Sequence, residues 1–192
     1  MRARKRLGCS RREVMVAGAA ALAAGLVAPA ATSANSLVLN GMAGGGVARW
    51  DGGEAQVSVF VSQVQFTDAQ QELFLGRIQW VDATNGLTLE TTNLTAYETM
   101  TDNAGGRIVR GLMQVNGAGS VPFLLQVIDG GPPGSGKDTF DLKVGAAVSG
   151  VAEWQGGVTG NEPNFGYAAA GHLASGDFEW LSANAKLYPA KT

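Results

Sequence analysis

From residue 35 onward the chain alternates apolar and polar side chains with a period of two. No stretch of a dozen residues there shows helical spacing without glycine. Successive side chains of a strand point to opposite faces of a sheet, so the alternation predicts strands buried on one side. The alternating segments are residues 55–66, 74–81, 87–95, 108–115, 121–128, 140–144 and 173–180. In the first segment the pattern shifts by one residue before Val64, and we predict a β-bulge there.

Glycine-rich turns separate the predicted strands. Asn85-Gly86 lies between the second and third strands, and Asn116-Gly117 lies between the fourth and fifth. The Asn-Gly pair readily adopts the positive φ angles of a tight hairpin. Short strands joined in this way describe an antiparallel sandwich or barrel. We predict an all-β antiparallel β-sandwich of the jelly-roll or Greek-key kind, with helix only in the N-terminal segment and an irregular connection over residues 146–170.

The first 34 residues, here called the leader, have the pattern of a secretory signal peptide. Six of the 14 Lys and Arg residues precede residue 13, an apolar run extends from Val14 to Ala31, and small residues follow up to Ala34. Arg11 and Arg12 resemble the twin-arginine export motif, with Val14-Met15 where that motif usually has Phe-Leu. A transmembrane anchor needs about 20 strongly apolar residues, and this run is short and weakly hydrophobic.

These features predict the domain organisation and the destination of the protein. We predict cleavage after Ala34, which divides the chain into a signal peptide of residues 1–34 and a single domain of residues 35–192. The twin-arginine machinery would export that domain to the medium, the periplasm or the cell envelope. We predict no stable membrane span in the exported part.

Removing the leader changes the charge of the protein. The whole chain has 14 basic and 16 acidic residues, and the leader holds six of the basic ones and one acidic one, Glu13. The remaining eight basic and fifteen acidic residues give residues 35–192 a formal net charge of −7. Such a surface repels phosphate backbones, so nucleic-acid binding is not expected. The only cysteine is Cys9, so this part has no disulfide, and it is long enough to bury its own core.

The segment Gly130 to Thr139 has the spacing of a phosphate-binding loop. Gly131, Gly136 and Lys137 match its glycines and lysine, but Asp138 stands where a hydroxyl should hold magnesium. A phosphate loop must also open a helix whose N-terminal dipole faces the anion, whereas residues 140–144 alternate as a strand. We therefore predict a Pro- and Gly-rich hairpin loop, with no nucleotide site and no cofactor.

The same loop and its flanks resemble a module of secreted bacterial proteins, the post-COAP-1 domain family. An Asn-Gly turn at Asn116, a strand containing Phe123, the run Asp129-Gly130-Gly131, a loop ending in Asp138 and an alternating strand follow in that family's order. The specific part is residues 116–144, within a broader likeness over residues 46–181, and the loop here is longer than usual. The resemblance implies a small all-β extracellular unit and implies no catalytic residues.

Few residues after the leader are suited to catalysis or metal binding. His172 is the only histidine, and no Gly-x-Ser-x-Gly nucleophile elbow occurs. Zinc and copper sites need several nitrogen or sulfur ligands, and this part has one histidine and no cysteine. Asp129 and Asp138 bracket the glycine-rich loop, where a carboxylate pair could act on a glycoside or bind calcium. We favour the interpretation that each caps its turn by accepting backbone N–H bonds, and we assign no metal ligand.

Aromatic side chains are the remaining candidates. Trp80 and Trp180 lie on predicted strands, where one face points inward. Trp154 and Tyr167 lie in the irregular connection, and we select them as the aromatic residues on which sugar rings would stack.

From the sequence we predict an exported, non-catalytic interaction module whose partner is an envelope glycan or protein. Two alternatives stay open. One is a glycan-binding module with Trp154 and Tyr167 exposed side by side. The other is a hydrolase with His172 or a carboxylate pair in a concave pocket.

Overall fold

The computed structural model describes residues 36–66, 71–149 and 165–186. Eight strands make up most of the described chain. They are β1 (Ser36–Trp50), β2 (Gly53–Phe66), β3 (Gln71–Asp82), β4 (Leu87–Thr99), β5 (Gly106–Val115), β6 (Ala118–Ile128), β7 (Thr139–Gly145) and β8 (Gly166–Lys186). One turn of 3-10 helix, Ala146–Ser149, follows β7. None of the described residues forms a helix long and apolar enough to cross a membrane.

The eight strands form a closed antiparallel barrel. Each strand pairs with its neighbour in sequence, and β8 pairs with β1. The all-β prediction is confirmed, but the predicted jelly-roll or Greek-key sandwich is wrong. Alternation along a strand is the same in both folds, and pairing of the first strand with the last is what closes a barrel. The glycine-rich β1 is not among the strands that alternation predicts. The predicted N-terminal helix lies outside the described residues.

Glycines allow β1 to fit between β2 and β8. Gly44, Gly45 and Gly46 have φ angles of 152°, 146° and 153°, in a region that residues with side chains rarely adopt. A Cβ atom on Gly44 would overlap the carbonyl oxygen of Asp177 on β8. On β8 itself, Gly176 has a φ of 98°, and a Cβ atom there would overlap the carbonyl oxygen of Gly45. At these glycines the β1–β8 seam of the barrel is therefore a contact between backbones.

The barrel wall is less continuous at one end than at the other. We call the end with the start of β1 and the end of β8 the upper end, and the opposite end the lower end. β3 pairs with β4 only through Gln79–Asp82, and β7 pairs with β8 only as far as His172. At the upper end, β8, β1, β2 and β3 therefore stay hydrogen-bonded as one group and β4 to β7 as another. A cavity described below lies between these two groups.

Two apolar clusters lie on opposite faces of the wall. The main core fills the interior and includes Met42, Val61 and Trp80. Met42 lies opposite Val61, whereas Leu39 lies opposite Val64, three residues further along each strand and therefore on the other face. The second cluster, here called the outer patch, comprises Leu37, Leu39, Ala43, Phe60, Val64, Phe66, Leu73, Leu75, Leu181 and Ala183.

The shift of alternation in β2 marks a change of face. The register of β2 is unbroken from Ser62 to Gln65 against both β1 and β3. Val61 belongs to the main core, and Val64 belongs to the outer patch. The predicted bulge before Val64 is therefore wrong. A sequence that buries one face and then the other produces the same shift without an inserted residue.

Candidate functional site

Aromatic rings fill the lower end of the barrel. Trp50, Trp80, Phe140 and Tyr167 pack with ring centroids 5.2 to 6.5 Å apart, mostly edge to face. They come from four different strands, β1, β3, β7 and β8. Because these rings occupy the interior here, this end holds packed core.

A chain of hydrogen bonds joins this aromatic cluster to a buried carboxylate. The indole Nε1 of Trp80 donates to the hydroxyl oxygen of Tyr167 at 2.9 Å, and that hydroxyl donates to Oδ2 of Asp82 at 3.1 Å. Asp82 is 0% exposed, and it also accepts bonds from the backbone and side-chain nitrogens of Asn85. Burial, and then the Asp82 carboxylate, raise the pKa of Tyr167 above its ordinary value, despite the opposing Trp80 bond.

The structure removes Tyr167 from the predicted sugar-stacking surface. Its side chain is only 3% exposed and its hydroxyl is engaged within the core. Trp154, its predicted companion, lies outside the described residues, as do Arg11, Arg12 and Ala34 of the leader. Trp80 is buried, as its position on a strand predicts.

Asp129 and Asp138 act on the backbone of the loop that they bracket. Asp138 is 3% exposed, and its two oxygens accept bonds from the N–H of Gly130 at 3.0 Å and of Phe178 at 2.8 Å. Asp129 accepts a bond from the N–H of Gly131 at 3.1 Å. This agrees with the favoured turn-capping interpretation. Strand β7 follows the loop. A phosphate-binding loop would be followed by a helix.

The described residues offer little for metal binding or for a triad. They contain no group of three or more His, Cys, Asp or Glu positioned to hold a metal ion. His172 is exposed on β8, opposite Thr139 of β7 and Arg49 of β1. At this position it faces solvent.

An acidic groove runs along the outer surface of the seam. Its volume is about 900 Å³, and its lining includes Gly44, Gly45, Ser58, Asp177 and Glu179. The pKa of Asp177 is raised to about 6, chiefly by desolvation and then by the charge and hydrogen bond of Asp138, with smaller effects of Glu179 and Asp129. Asp177 therefore binds a proton more readily in the barrel than in an unfolded chain.

This elevated pKa predicts how Asp177→Asn changes stability. The folded-state pKa lies above the ordinary 3.8, so the wild-type barrel loses stability as the pH rises from about 4 to about 6 and keeps that loss above it. The variant carries no such cost. Solvent screens this partly exposed carboxylate, so we take the cost as about 1 kcal/mol. We therefore expect the melting temperature of the variant to exceed that of the wild type at pH 7.5 by about 2–4 °C. At pH 3.5 the two should agree.

Thermal unfolding followed by circular dichroism at both pH values checks this expectation. Asp51→Asn, in the exposed turn between β1 and β2, is the matched control for the loss of one negative charge. Equal melting temperatures of the wild type and Asp177→Asn at pH 7.5 would contradict the assigned pKa.

A second cavity, of about 340 Å³, opens at the upper end between the two groups of strands. One wall comes from β1, β2 and β8, and the other comes from β4 and β5. Its described lining is mostly polar and consists of Asn40, Gly41, Gln63, Tyr97, Thr99, Arg107, Trp180, Leu181 and Ser182. We call it the upper cavity.

Arg107 is the only charged residue among those that line the upper cavity in the described chain, and its side chain is held in place. Its Nη1 atom donates to the carbonyl oxygens of Ala104 at 2.9 Å and Gly106 at 2.8 Å. The guanidinium carbon lies 4.8 Å from the ring centroid of Trp180, in a cation–π contact. Three contacts thus fix the direction of a positive charge at the mouth of the barrel.

Tyr97 is buried beside this arginine. Burial raises the pKa of Tyr97, while the charge and hydrogen bond of Arg107 act in the opposite direction. The ion pairs of the described residues are Arg49–Glu54, Arg77–Glu90 and Lys143–Asp141, so none of them neutralises Arg107. The upper cavity therefore combines an uncompensated cation with neutral polar side chains.

The sequence pattern does not identify this site. Arg107 is only one of the eight basic residues that follow the leader, and Trp180 lies on a predicted strand. β5 and β8 are not neighbours in the barrel, so alternation gives no sign that the two side chains meet. The one local signal is Arg107 itself, a cation at the start of a strand just after the Asn103–Gly105 turn.

The fold and the site define a closed eight-stranded antiparallel barrel with packed aromatics at one end and a cationic cavity at the other. The chain matches no family model, no curated protein and no solved structure. The resemblance of residues 116–144 to the post-COAP-1 family stays a prediction.

Proposed function

We propose that this is an exported, non-catalytic binding protein, and that its upper cavity takes a small anionic sugar such as a uronic acid. The observation that carries the proposal is the oriented, uncompensated guanidinium of Arg107 in a polar cavity. The leader supports the exported part of the proposal, and cell-envelope glycans are a source of such sugars.

A carboxylate is the group that best complements Arg107. A guanidinium presents its N–H donors in a planar fork that matches the two oxygens of a carboxylate. One edge of the fork already bonds backbone carbonyls, and one face contacts Trp180. Because the Arg107 side chain is held before binding, little conformational entropy is lost when the ligand binds.

The remaining lining suits a hydroxylated ring. Asn40 and Gln63 carry amides, and Thr99 and Ser182 carry hydroxyls, so both walls offer donors and acceptors to sugar hydroxyls. The ring of Trp180 adds a flat apolar surface. The volume of about 340 Å³ is at the lower end of the range of ligand pockets, roughly 300–1,000 Å³. A monosaccharide is therefore a better fit than a long oligosaccharide.

The chemistry of the upper cavity supports a role in binding. Its described lining includes no Asp, Glu, His or Cys that would act as a general acid, base or nucleophile. The hydrolase alternative would instead use a carboxylate pair, for which the sequence offers Asp129 and Asp138 at the ends of the glycine-rich loop. Both oxygens of Asp138 already accept backbone bonds, which favours a structural role for that carboxylate.

Calorimetric titration tests the proposed ligand class. We expect D-glucuronate to bind the wild-type protein at neutral pH and D-glucose, which has a hydroxymethyl group in place of the carboxylate, to bind at least about tenfold more weakly. Arg107→Ala should lose about tenfold or more in affinity for glucuronate, since a hydrogen bond to a charged group contributes about 1.5–3 kcal/mol.

Arg110→Ala is the matched control, because Arg110 is exposed on the same strand and does not line the upper cavity. It should bind glucuronate as the wild type does. Glucuronate binding that survives Arg107→Ala, equal affinity for glucose, or no binding of glucuronate would each overturn the proposed ligand class.

A further inference from the structure

The outer patch is buried although it lies on the outside of a barrel. Its most buried members, Leu37, Leu39, Ala43, Val64, Phe66 and Leu181, are only 2–7% exposed. All ten side chains of the patch belong to β1, β2, β3 and β8 and point away from the interior. A sheet cannot fold over its own convex face, so another segment must cover the patch.

The position of the patch favours the leader as that segment. Ser36, where the leader joins β1, lies opposite Lys186 at the upper end, next to Leu37. Residues 150–164 instead connect Ser149 to Phe165, near the Gly145–Gly166 pair at the lower end. Residues 67–70 and 187–192 are too few to cover ten side chains.

The dimensions of the leader also match. From Leu37 to Gly45, β1 extends for about 26 Å at the usual rise of a strand. The 18 residues from Val14 to Ala31 would be about 27 Å long as a helix. An apolar run that turned back at residues 32–35 would therefore reach from the outer patch to the acidic groove.

Charge complements this arrangement. Six basic residues precede Glu13 in the leader, and they would follow the apolar run to the groove end of β1. The groove there presents Asp177 and Glu179. Along the leader, the basic head comes before the apolar run. Along β1, the apolar outer patch comes before the acidic groove. A leader that folds back antiparallel to β1 therefore places the apolar run on the patch and the basic head at the groove.

We propose that in the uncleaved protein the leader folds back along β1, with its apolar run on the outer patch and its basic head at the acidic groove. Removal of the leader exposes the patch. Only the biological role of this contact rests on the proposed function, in which the leader is an export signal. The contact between the leader and the barrel would form in the full-length chain whether or not the chain is exported.

Cys9, the only cysteine of the chain, makes the proposal testable by disulfide trapping. Ser58 is exposed and lines the acidic groove, and Ser120 is exposed on β6, on the far side of the barrel from β1. Full-length Ser58→Cys and Ser120→Cys variants are purified reduced and then treated with oxidised glutathione. The intramolecular Cys9 disulfide is quantified by mass spectrometry.

We expect Cys9 to couple to position 58 at least about tenfold faster than to position 120, because a docked head has a raised effective concentration at the groove. Adding Asp177→Asn and Glu179→Gln to the Ser58→Cys variant should slow the coupling. Equal rates at positions 58 and 120 would overturn the proposal. Export is measured separately with Arg11→Lys and Arg12→Lys in a bacterial host, and loss or retention of export leaves the trapping result intact.

Discussion

Gly176→Ala is expected to unfold the barrel or to lower its melting temperature by about 10 °C. Gly176 has a φ of 98°, which costs a residue with a side chain about 1–3 kcal/mol. The new Cβ would also overlap the carbonyl oxygen of Gly45 on β1, and relieving such an overlap costs about another 1–3 kcal/mol. Both costs fall on the glycine stretch of the β1–β8 seam, where the backbones of the two strands are in contact and no side chain can move aside.

Gly117→Ala separates the two causes. Gly117 also has a positive φ, of 76°, but a Cβ atom there would meet nothing within 4 Å. We expect Gly117→Ala to lower the free energy of unfolding by only about 1 kcal/mol, because only the positive φ angle is unfavourable there. Thermal and urea unfolding of both variants measure the difference. If Gly176→Ala were no more destabilised than Gly117→Ala, the seam would not be as tight as described.

Asp138→Ala is expected to destabilise the barrel by about 3 kcal/mol. The substitution leaves the N–H groups of Gly130 and Phe178 without their acceptor in a buried place, and an unsatisfied buried donor costs about 1–3 kcal/mol. Asp138→Asn should fall between Ala and the wild type, because its amide accepts one of the two bonds and turns a donor toward the other. The pKa of Asp177 should fall in both variants, since the charge of Asp138 helps to raise it.

Asp141→Ala, three residues further along and on β7, is the control. Its carboxylate pairs with Lys143 at 3.4 Å at a partly exposed position, where an ion pair contributes about 0–1 kcal/mol. Calcium added to the wild type should leave the melting temperature unchanged. A calcium-dependent rise that Asp138→Ala abolishes would restore the cation-binding interpretation of the loop.

Alternation predicts most strands because it depends only on burial of one face. β6, from Ala118 to Ile128, contains the predicted 121–128 segment, and Gly86 has the positive φ that its Asn-Gly turn predicts. Alternation does not predict a strand correctly where burial does not follow this rule. β1 carries Gly44 to Gly46 in place of alternating side chains, and β2 buries one face and then the other.

The upper cavity depends on closure of the barrel, which local pattern does not encode. Arg107 meets Trp180 only because β8 pairs with β1, which places Trp180 opposite Met42 on the inner face of the wall. Asp138 shows the same limit. Asp138 accepts one bond from Gly130 within its own loop, and the sequence predicts that bond. Its other bond comes from Phe178 on the last strand, and local pattern does not predict it.

Pairing between the first and the last strand also restricts the order of events during synthesis. A ribosome releases β1 first, and its partner β8 emerges only after the six strands between them. The wall therefore cannot close before the eighth strand has been synthesised. An export machinery that accepts only folded proteins could therefore act only after β8 has been made. A machinery that threads unfolded chains could act earlier, before the barrel has closed.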